Sequence, residues 1–89
     1  MTGAPLRATL LTTTDCHLCE HAREVIAHLG RDRRIALQEL AWDSPIAQAR
    51  IRTDGVPFAP ALYIDDILCG YGRISEGAVR RWLSKRGMA

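Results

Sequence analysis

The sequence lacks the features of several common classes of protein. No apolar run approaches the ~20 residues of a membrane-spanning helix, and residues 1–6 lack the basic and apolar segments of a signal peptide. We therefore expect a cytoplasmic protein with no membrane partner. The formal net charge of +2 is too small to indicate nucleic-acid binding, and the arginines are spread over different predicted elements.

Cysteine is also scarce, and its spacing is informative. The chain of 89 residues has three cysteines, whereas a secreted disulfide scaffold has an even and denser set. Cys16 and Cys19 are three residues apart and Cys69 is distant, as in a redox pair with one further thiol. Apolar residues make up 47% of the chain and charged residues 25%, which predicts one globular domain over 7–86 with short tails at 1–6 and 87–89.

The hydrophobic pattern predicts seven elements in the order β-α-β-α-β-β-α. Leu and Thr in the first segment suit a buried strand, and the helices show apolar residues at spacings of three and four. The residues predicted to face the core are Leu18, Cys19, Ala22, Val25, Ile26 and Leu29 in the first helix, Ile46, Ala49 and Ile51 in the second, and Ala78, Val79, Trp82 and Leu83 in the third. The predicted strands and helices are strand 7–13, helix 16–29, strand 35–42, helix 45–53, strand 61–64, strand 67–71 and helix 75–86.

Capping residues support these boundaries. Ser44 is predicted to cap the second helix, with Pro45 at its first position. We expect Asp15 to cap the first helix and Gly30 to end it as a C′ glycine. Asp65-Asp66 is predicted to form a two-residue hairpin turn.

Cys16 and Cys19 stand where the first strand gives way to the first helix. A helix N-terminus has partial positive charge and free N–H donors, so it stabilises a thiolate at Cys16. That thiolate can attack a disulfide, and Cys19 can resolve the mixed disulfide. His17, if protonated, would favour the reduced pair, whereas the Asp15 carboxylate would disfavour the thiolate. A purely structural role for either residue stays open.

The element order, the Cys-x-x-Cys motif and a proline opening the third strand together resemble the glutaredoxin branch of the thioredoxin fold. The likeness covers about residues 6–86 and is strongest to small bacterial glutaredoxin-like proteins with a Thr-x-x-x-Cys-x-Leu-Cys-Glu opening, here residues 12–20. The resemblance implies an α/β, thioredoxin-like fold with a four-stranded mixed sheet and helices on both faces.

The resemblance also implies a substrate-binding surface. The family's proline is cis and faces the redox pair, and we assign that role to Pro60, with Ala59 before it; Pro57 is the alternative. Backbone beside a cis proline is free to pair with an extended substrate. Gly70 matches the first glycine of the family's glycine pair, and Tyr71 replaces the second.

Three departures from the family pattern concern glutathione. Thr13 occupies the position where many glutathione-using members have Lys or Arg. Tyr71 replaces a glycine, and Arg73 and Ser75 lie where the family has an acidic cap on the last helix. The dithiol chemistry is expected to carry over, whereas glutathione as co-substrate is left open beside other low-molecular-weight thiols, protein disulfides and a reductase.

The leading prediction is therefore a monomeric thiol–disulfide oxidoreductase without a bound organic cofactor. The alternative is a non-catalytic binding module that binds an iron–sulfur cluster or a metal, or docks a protein partner. Residues 17–21 match the H-x-x-E-H pattern of a zinc peptidase, which we interpret as a chance match because a catalytic zinc needs a third ligand and a larger scaffold. Cys69 is expected to be a small buried hydrophobic residue, with a regulatory or intermolecular disulfide as the alternative.

Overall fold

The computed structural model describes residues 4–88, so Met1–Gly3 and Ala89 of the two predicted tails lie outside the described residues. Seven elements follow one another in the predicted order. They are β1 (Leu6–Thr12), α1 (His17–Leu29), β2 (Ile35–Ala41), α2 (Pro45–Asp54), β3 (Ala61–Ile64), β4 (Ile67–Tyr71) and α3 (Glu76–Lys85).

The four strands form one mixed sheet in the order β2-β1-β3-β4. β1 and β2 are parallel, with Leu11 opposite Leu40, and β1 and β3 are antiparallel, with Leu11 opposite Ala61. β4 returns antiparallel to β3, with Ala61 opposite Tyr71. The carboxyl ends of β1, β2 and β4 therefore lie at the same edge of the sheet as the start of β3.

The helices cover both faces of this sheet, as predicted. Because side chains alternate along a strand, neighbouring residues of β1 and β3 belong to two separate apolar clusters. The α1–α3 core comprises Ala8, Leu10, Ala22, Val25, Ile26, Leu29, Leu62, Ile64, Ile74, Val79 and Leu83. The α2 core is smaller and comprises Leu11, Ala47, Val56, Ala61 and Tyr63.

The first helix differs from the prediction at its start and ends where predicted. Its N-cap is Cys16, not Asp15, because Asp15 has a left-handed backbone conformation (φ 50°) that places Cys16 in the extended conformation of a cap. Gly30 follows the last helical residue, Leu29, which confirms the predicted end. Gly30 is right-handed (φ −68°), and the chain continues into a further turn in which the Arg31 N–H donates to the His28 carbonyl.

The second helix has the predicted cap and a different buried face. Ser44 Oγ accepts a hydrogen bond from the Ala47 N–H at 3.3 Å, with Pro45 in the first turn. Ala47 is the one residue of α2 that is buried, whereas Ile46, which the sequence pattern placed on the buried side, is 63% exposed. The α2 helix therefore contributes little apolar surface to the fold.

The β3–β4 hairpin has the predicted turn and an unpredicted bulge. Asp65 and Asp66 both have positive φ (50° and 68°), as a type I′ turn requires. The register shifts between Leu62, opposite Gly70, and Tyr63, opposite Leu68. Cys69 is thus the extra residue of a β-bulge, and it packs against the α1–α3 core.

The end of the chain also packs on this core. The Met88 N–H donates to the Leu83 carbonyl at 2.8 Å, and the Met88 side chain contacts the α1–α3 core. The predicted C-terminal tail is therefore in part a packed segment. α3 itself begins after its N-cap Ser75, and of the four residues predicted to be buried, Val79 and Leu83 are buried. Trp82 is partly buried against the core, whereas Ala78 is exposed.

Candidate redox site

Cys16 lies between the end of β1 and the first turn of α1. Its Sγ accepts a hydrogen bond from the Cys19 N–H at 3.1 Å, so the sulfur takes the place of the oxygen atom that usually caps a helix. The Cys16 carbonyl also accepts the first helical hydrogen bond, from the Glu20 N–H. A sulfur in this position receives the partial positive charge of the helix N-terminus, which stabilises its thiolate form when the pair is reduced.

Cys16 and Cys19 form a disulfide in this structure, with their Cα atoms 5.2 Å apart. Their surroundings differ. Cys16 is partly exposed, whereas Cys19 is fully buried with 0% exposure. An incoming sulfur atom can therefore reach Cys16, while Cys19 is accessible only to its neighbour one turn away.

The two residues that flank Cys16, Asp15 and His17, are both exposed to solvent. The His17 side chain is 99% exposed, and its Nδ1 lies 3.6 Å from Glu20 Oε1. Asp15 is exposed and provides the left-handed turn that leads from strand to helix. Aspartate tolerates that conformation better than most residues, so Asp15 has a backbone role at this turn.

Pro60 lies at the same edge of the sheet as Cys16. The Ala59–Pro60 peptide bond is cis, which confirms the choice of Pro60 over Pro57. Pro60 is buried and immediately precedes Ala61, the partner of Leu11 near the end of β1. The Pro60 carbonyl accepts a hydrogen bond from the Gly72 N–H at 2.7 Å, so the loop before β3 is fastened to the loop after β4.

Gly70 and Tyr71 reach this edge from β4. A side chain at Gly70 would meet no atom within 4 Å, so the local packing does not require glycine there. Tyr71 is 44% exposed and makes an edge-to-face contact with Phe58, with their ring centroids 5.7 Å apart. The structure thus brings all the predicted substrate-binding residues to the end of the sheet where Cys16 lies.

Two residues of this edge were missed by the sequence analysis. Phe58 is 54% exposed and is the single phenylalanine of the chain. Gly72 has φ +71°, and a Cβ there would lie 2.8 Å from Phe58 Cε1. Gly72, not Gly70, is therefore the glycine that this packing requires. The signal for Phe58 was its position between two prolines.

On the other side of Cys16 a groove of about 610 Å³ opens between α1 and the turn that joins β2 to α2. Its walls include Asp15, Glu20, Trp42 and Asp43. Arg23 and Glu39 also line the groove, and Arg23 Nε lies 3.0 and 2.9 Å from the two Glu39 carboxylate oxygens. Sequence analysis missed this groove because its two walls come from separate segments of the chain, residues 12–23 and residues 39–43.

Cys69 differs from the redox pair in its environment. It is partly buried, and burial raises the pKa of its thiol to about 11, against the opposing effect of the Arg86 charge. Only a small fraction of this thiol is ionised at neutral pH. This accords with the predicted role as a small apolar residue.

Helix length and the grouping of potential metal ligands can both be assessed over residues 4–88. Within residues 4–88, no helix is long and apolar enough to cross a membrane. The same residues contain no group of three or more His, Cys, Asp or Glu side chains placed to bind a metal ion. The H-x-x-E-H pattern therefore lacks a third ligand among the described residues.

Comparison with solved structures identifies the fold. A malarial protein matches with a TM-score of 0.64 and 14% identity, over 92% of this chain and 97% of that one. Glutaredoxin 1 from Francisella tularensis matches with a TM-score of 0.60 and 15% identity, over 94% and 99% of the two chains. Thioredoxin-2, a component of the malaria parasite's protein secretion machinery, matches with a TM-score of 0.60 and 15% identity, over 91% and 82%.

The chain therefore has the thioredoxin-like fold. More particularly, a glutaredoxin is among the proteins that share this fold over almost their whole length, and this chain has a Cys16–Cys19 pair after the end of β1. No protein-family model matches the sequence, and no curated protein matches it significantly.

Proposed function

We propose that this protein is a thiol–disulfide oxidoreductase in which Cys16 is the attacking thiol and Cys19 the resolving thiol. The observation that supports the assignment best is the asymmetry of the pair. Cys16 is partly exposed with its sulfur at a helix N-cap, and Cys19 is fully buried one turn deeper. A reactive thiol has to be accessible and stabilised as a thiolate, and a resolving thiol has to be protected from other partners.

The reaction has two exchange steps. The Cys16 thiolate attacks one sulfur of a substrate disulfide, so that a Cys16–substrate bond forms and the first substrate thiolate leaves and takes up a proton. The Cys19 thiol loses its proton and attacks Cys16 Sγ, which releases the second substrate thiol and forms the Cys16–Cys19 disulfide. The substrate gains two electrons and two protons, and the protein dithiol loses both.

The edge formed by Pro60 and Tyr71 is proposed to bind the substrate backbone opposite Cys16. Its loops are fastened by the Gly72–Pro60 hydrogen bond, and its exposed aromatic pair of Phe58 and Tyr71 offers apolar contact. A low-molecular-weight thiol or a protein reductase would restore the dithiol. In this proposal no bound organic cofactor takes part.

A redox titration tests the proposal. The fraction of Cys16–Cys19 disulfide is measured by thiol alkylation and mass spectrometry in buffers of defined potential. We expect one two-electron transition between about −270 and −120 mV, the range of known dithiol proteins. Cys16→Ser and Cys19→Ser should each abolish it, and Cys69→Ser should leave it unchanged. Serine is a good N-cap, so Cys16→Ser keeps the cap while removing the sulfur.

Absence of an internal disulfide at every accessible potential would exclude the oxidoreductase. The competing function is a module that binds an iron–sulfur cluster, and visible absorbance of the freshly purified protein distinguishes the two. A brown, dimeric preparation that becomes colourless in Cys16→Ser would support the cluster. A colourless monomer with the expected transition would support the enzyme.

A further inference from the structure

The groove beside Cys16 has a charge that the rest of the chain does not explain. The chain has a net charge of +2, yet four carboxylates and a single guanidinium line the groove. They are Asp15, Glu20, Glu39, Asp43 and Arg23. Because Cys16 belongs to the same lining, a substrate disulfide that reaches its sulfur also enters the field of these carboxylates.

The one cation of the groove is already paired. Arg23 Nε lies within 3.0 Å of both Glu39 oxygens, and Glu39 also accepts a hydrogen bond from Thr12 Oγ1 at 3.3 Å. The opposite charges of Arg23 and Glu39 neutralise each other, and both residues form part of the groove wall. The remaining charge of the groove is therefore set by Asp15, Glu20 and Asp43.

No ion pair with lysine or arginine neutralises these three side chains among residues 4–88. Glu20 lies 3.6 Å from the fully exposed His17, and it interacts at longer range with the charge of Arg23. The position three residues before Cys16, which also lines the groove, is the uncharged Thr13. An anionic substrate thus finds no available cation in the lining.

We propose that Asp15, Glu20 and Asp43 make this groove selective for disulfides with positive charge next to the sulfur atoms, such as a protein disulfide flanked by lysine or arginine. Glutathione disulfide, which is anionic, is then a poor substrate. The inference rests on the proposed function, because it concerns the substrate class of the same reaction. Trp42 also lines the groove, and an aromatic ring attracts a cation that lies over its face.

The test compares three small symmetric disulfides that differ mainly in charge: cystamine (cationic), bis(2-hydroxyethyl) disulfide (neutral) and 3,3′-dithiodipropionate (anionic). For each disulfide, the rate of oxidation of the reduced protein is divided by the rate at which the same disulfide oxidises free dithiothreitol. This normalised rate removes differences in the intrinsic reactivity of the three disulfides. We expect the normalised rate to be about tenfold higher for cystamine than for the anionic disulfide at low salt, and about twofold higher at 0.5 M salt, because salt screens exposed charges.

Variants separate the groove charge from its effect on the thiolate. Glu20→Gln combined with Asp43→Asn should reduce the cationic-to-anionic ratio at least about threefold. Glu24→Gln, an identical change on the same helix outside the groove, should alter the ratio less than about twofold. A change in the Cys16 thiolate population alters all three rates together, so the ratio reports the groove alone.

The outcomes distinguish this inference from the proposed function. Equal normalised rates for the three disulfides, or a ratio unaffected by the double variant, would overturn the charge selection and leave the oxidoreductase standing. Failure of the neutral disulfide to oxidise the Cys16–Cys19 pair would overturn the oxidoreductase and the selection with it. A salt-sensitive ratio that falls in the double variant would support the inference.

Discussion

The two faces of the sheet are stabilised in different ways. The α1–α3 core contains eleven buried residues, and both of its helices contribute fully buried side chains. The α2 core contains five, of which α2 itself supplies Ala47 alone. Apolar burial therefore dominates on one face, and the other face has to rely on additional contacts.

Those additional contacts are polar. The Tyr63 hydroxyl donates to Asp54 Oδ2 at 2.8 Å at the end of α2, and Arg50 lies over the Tyr63 ring with its Cζ 5.0 Å from the centroid. Arg50 also donates to Asp66 at 2.7 Å, and Gln48 Nε2 donates to the Trp42 carbonyl at 2.8 Å. The α2 helix is thus fastened to the sheet by its polar side chains.

The candidate site is built from both faces. Cys16 caps α1 and Cys19 lies in its first turn, and α1 is anchored in the larger core. Trp42 and Asp43 belong to the turn that leads into α2. The redox pair therefore has a firmly packed support, and the facing wall of the groove has a weaker one.

The largest expected effect comes from the α1–α3 face. Leu83→Ala removes a side chain that is 1% exposed and should lower the free energy of unfolding by about 2–5 kcal/mol. Urea unfolding followed by circular dichroism measures the change. A loss no greater than that of the next variant would contradict the difference between the faces.

A smaller effect is expected on the α2 face. Tyr63→Phe keeps the buried ring and removes the hydroxyl that donates to Asp54, so it should cost about 1 kcal/mol. Tyr71→Phe at an exposed position is the matched control and should cost less than about 0.5 kcal/mol. If the two variants unfold at the same urea concentration, the polar attachment of α2 contributes nothing measurable.

A third prediction concerns the pH dependence of stability at the contact between His28 of α1 and Glu76 of α3. Hydrogen bonds from Arg80, and then from His28 at 2.5 Å, hold the pKa of Glu76 below its ordinary value of 4.5. The ionised carboxylate therefore stabilises the fold above about pH 4.5, and that stability is lost as the pH falls through the lowered pKa.

Unfolding measured between pH 7 and pH 3 tests this prediction. Glu76→Gln should be less stable than wild type at pH 7, and the difference should shrink as the pH falls. Glu24→Gln, at an exposed position in the middle of α1, should keep the wild-type pH dependence. A Glu76→Gln difference that stays constant down to pH 3 would mean that the carboxylate charge has no part in the contact.

The smallest effect is expected at Ile46, which the sequence pattern predicted to be buried and the structure shows to be exposed. Ile46 is 63% exposed, so Ile46→Gln should change the free energy of unfolding by less than about 0.5 kcal/mol. Thermal unfolding measures it, with Leu83→Ala as the reference. A loss above about 1 kcal/mol would show that Ile46 is buried in solution and that the α2 face is more apolar than described.

The sequence pattern predicted the α1–α3 face well and the α2 face poorly, for a physical reason. Hydrophobic periodicity reports which residues are buried, so it identified Ala22, Val25 and Ile26 on α1. It cannot identify a helix that is attached by Arg50 and Gln48. For the same reason it took Ile46 to be buried where the small residue Ala47 is the one in contact.

The candidate site was predictable where one motif defines it. The Cys-x-x-Cys spacing located the redox pair, and the resemblance placed Pro60 at the same edge. The sequence did not predict the N-cap of α1, the bulge between β3 and β4, or the groove beside Cys16. They depend on the backbone conformation of Asp15, on the register between β3 and β4, and on contact between distant segments such as Arg23 and Glu39.

The position of Cys69 has a consequence for the fidelity of oxidation. Three cysteines permit three different pairings, and two of them would trap the protein in an unproductive crosslink. Cys16 and Cys19 are neighbours on one helical turn, and the bulge directs Cys69 into the α1–α3 core, where burial raises the pKa of its thiol to about 11. The third thiol is thus a poor competitor in exchange, and the fold selects the one productive disulfide without excluding cysteine from position 69.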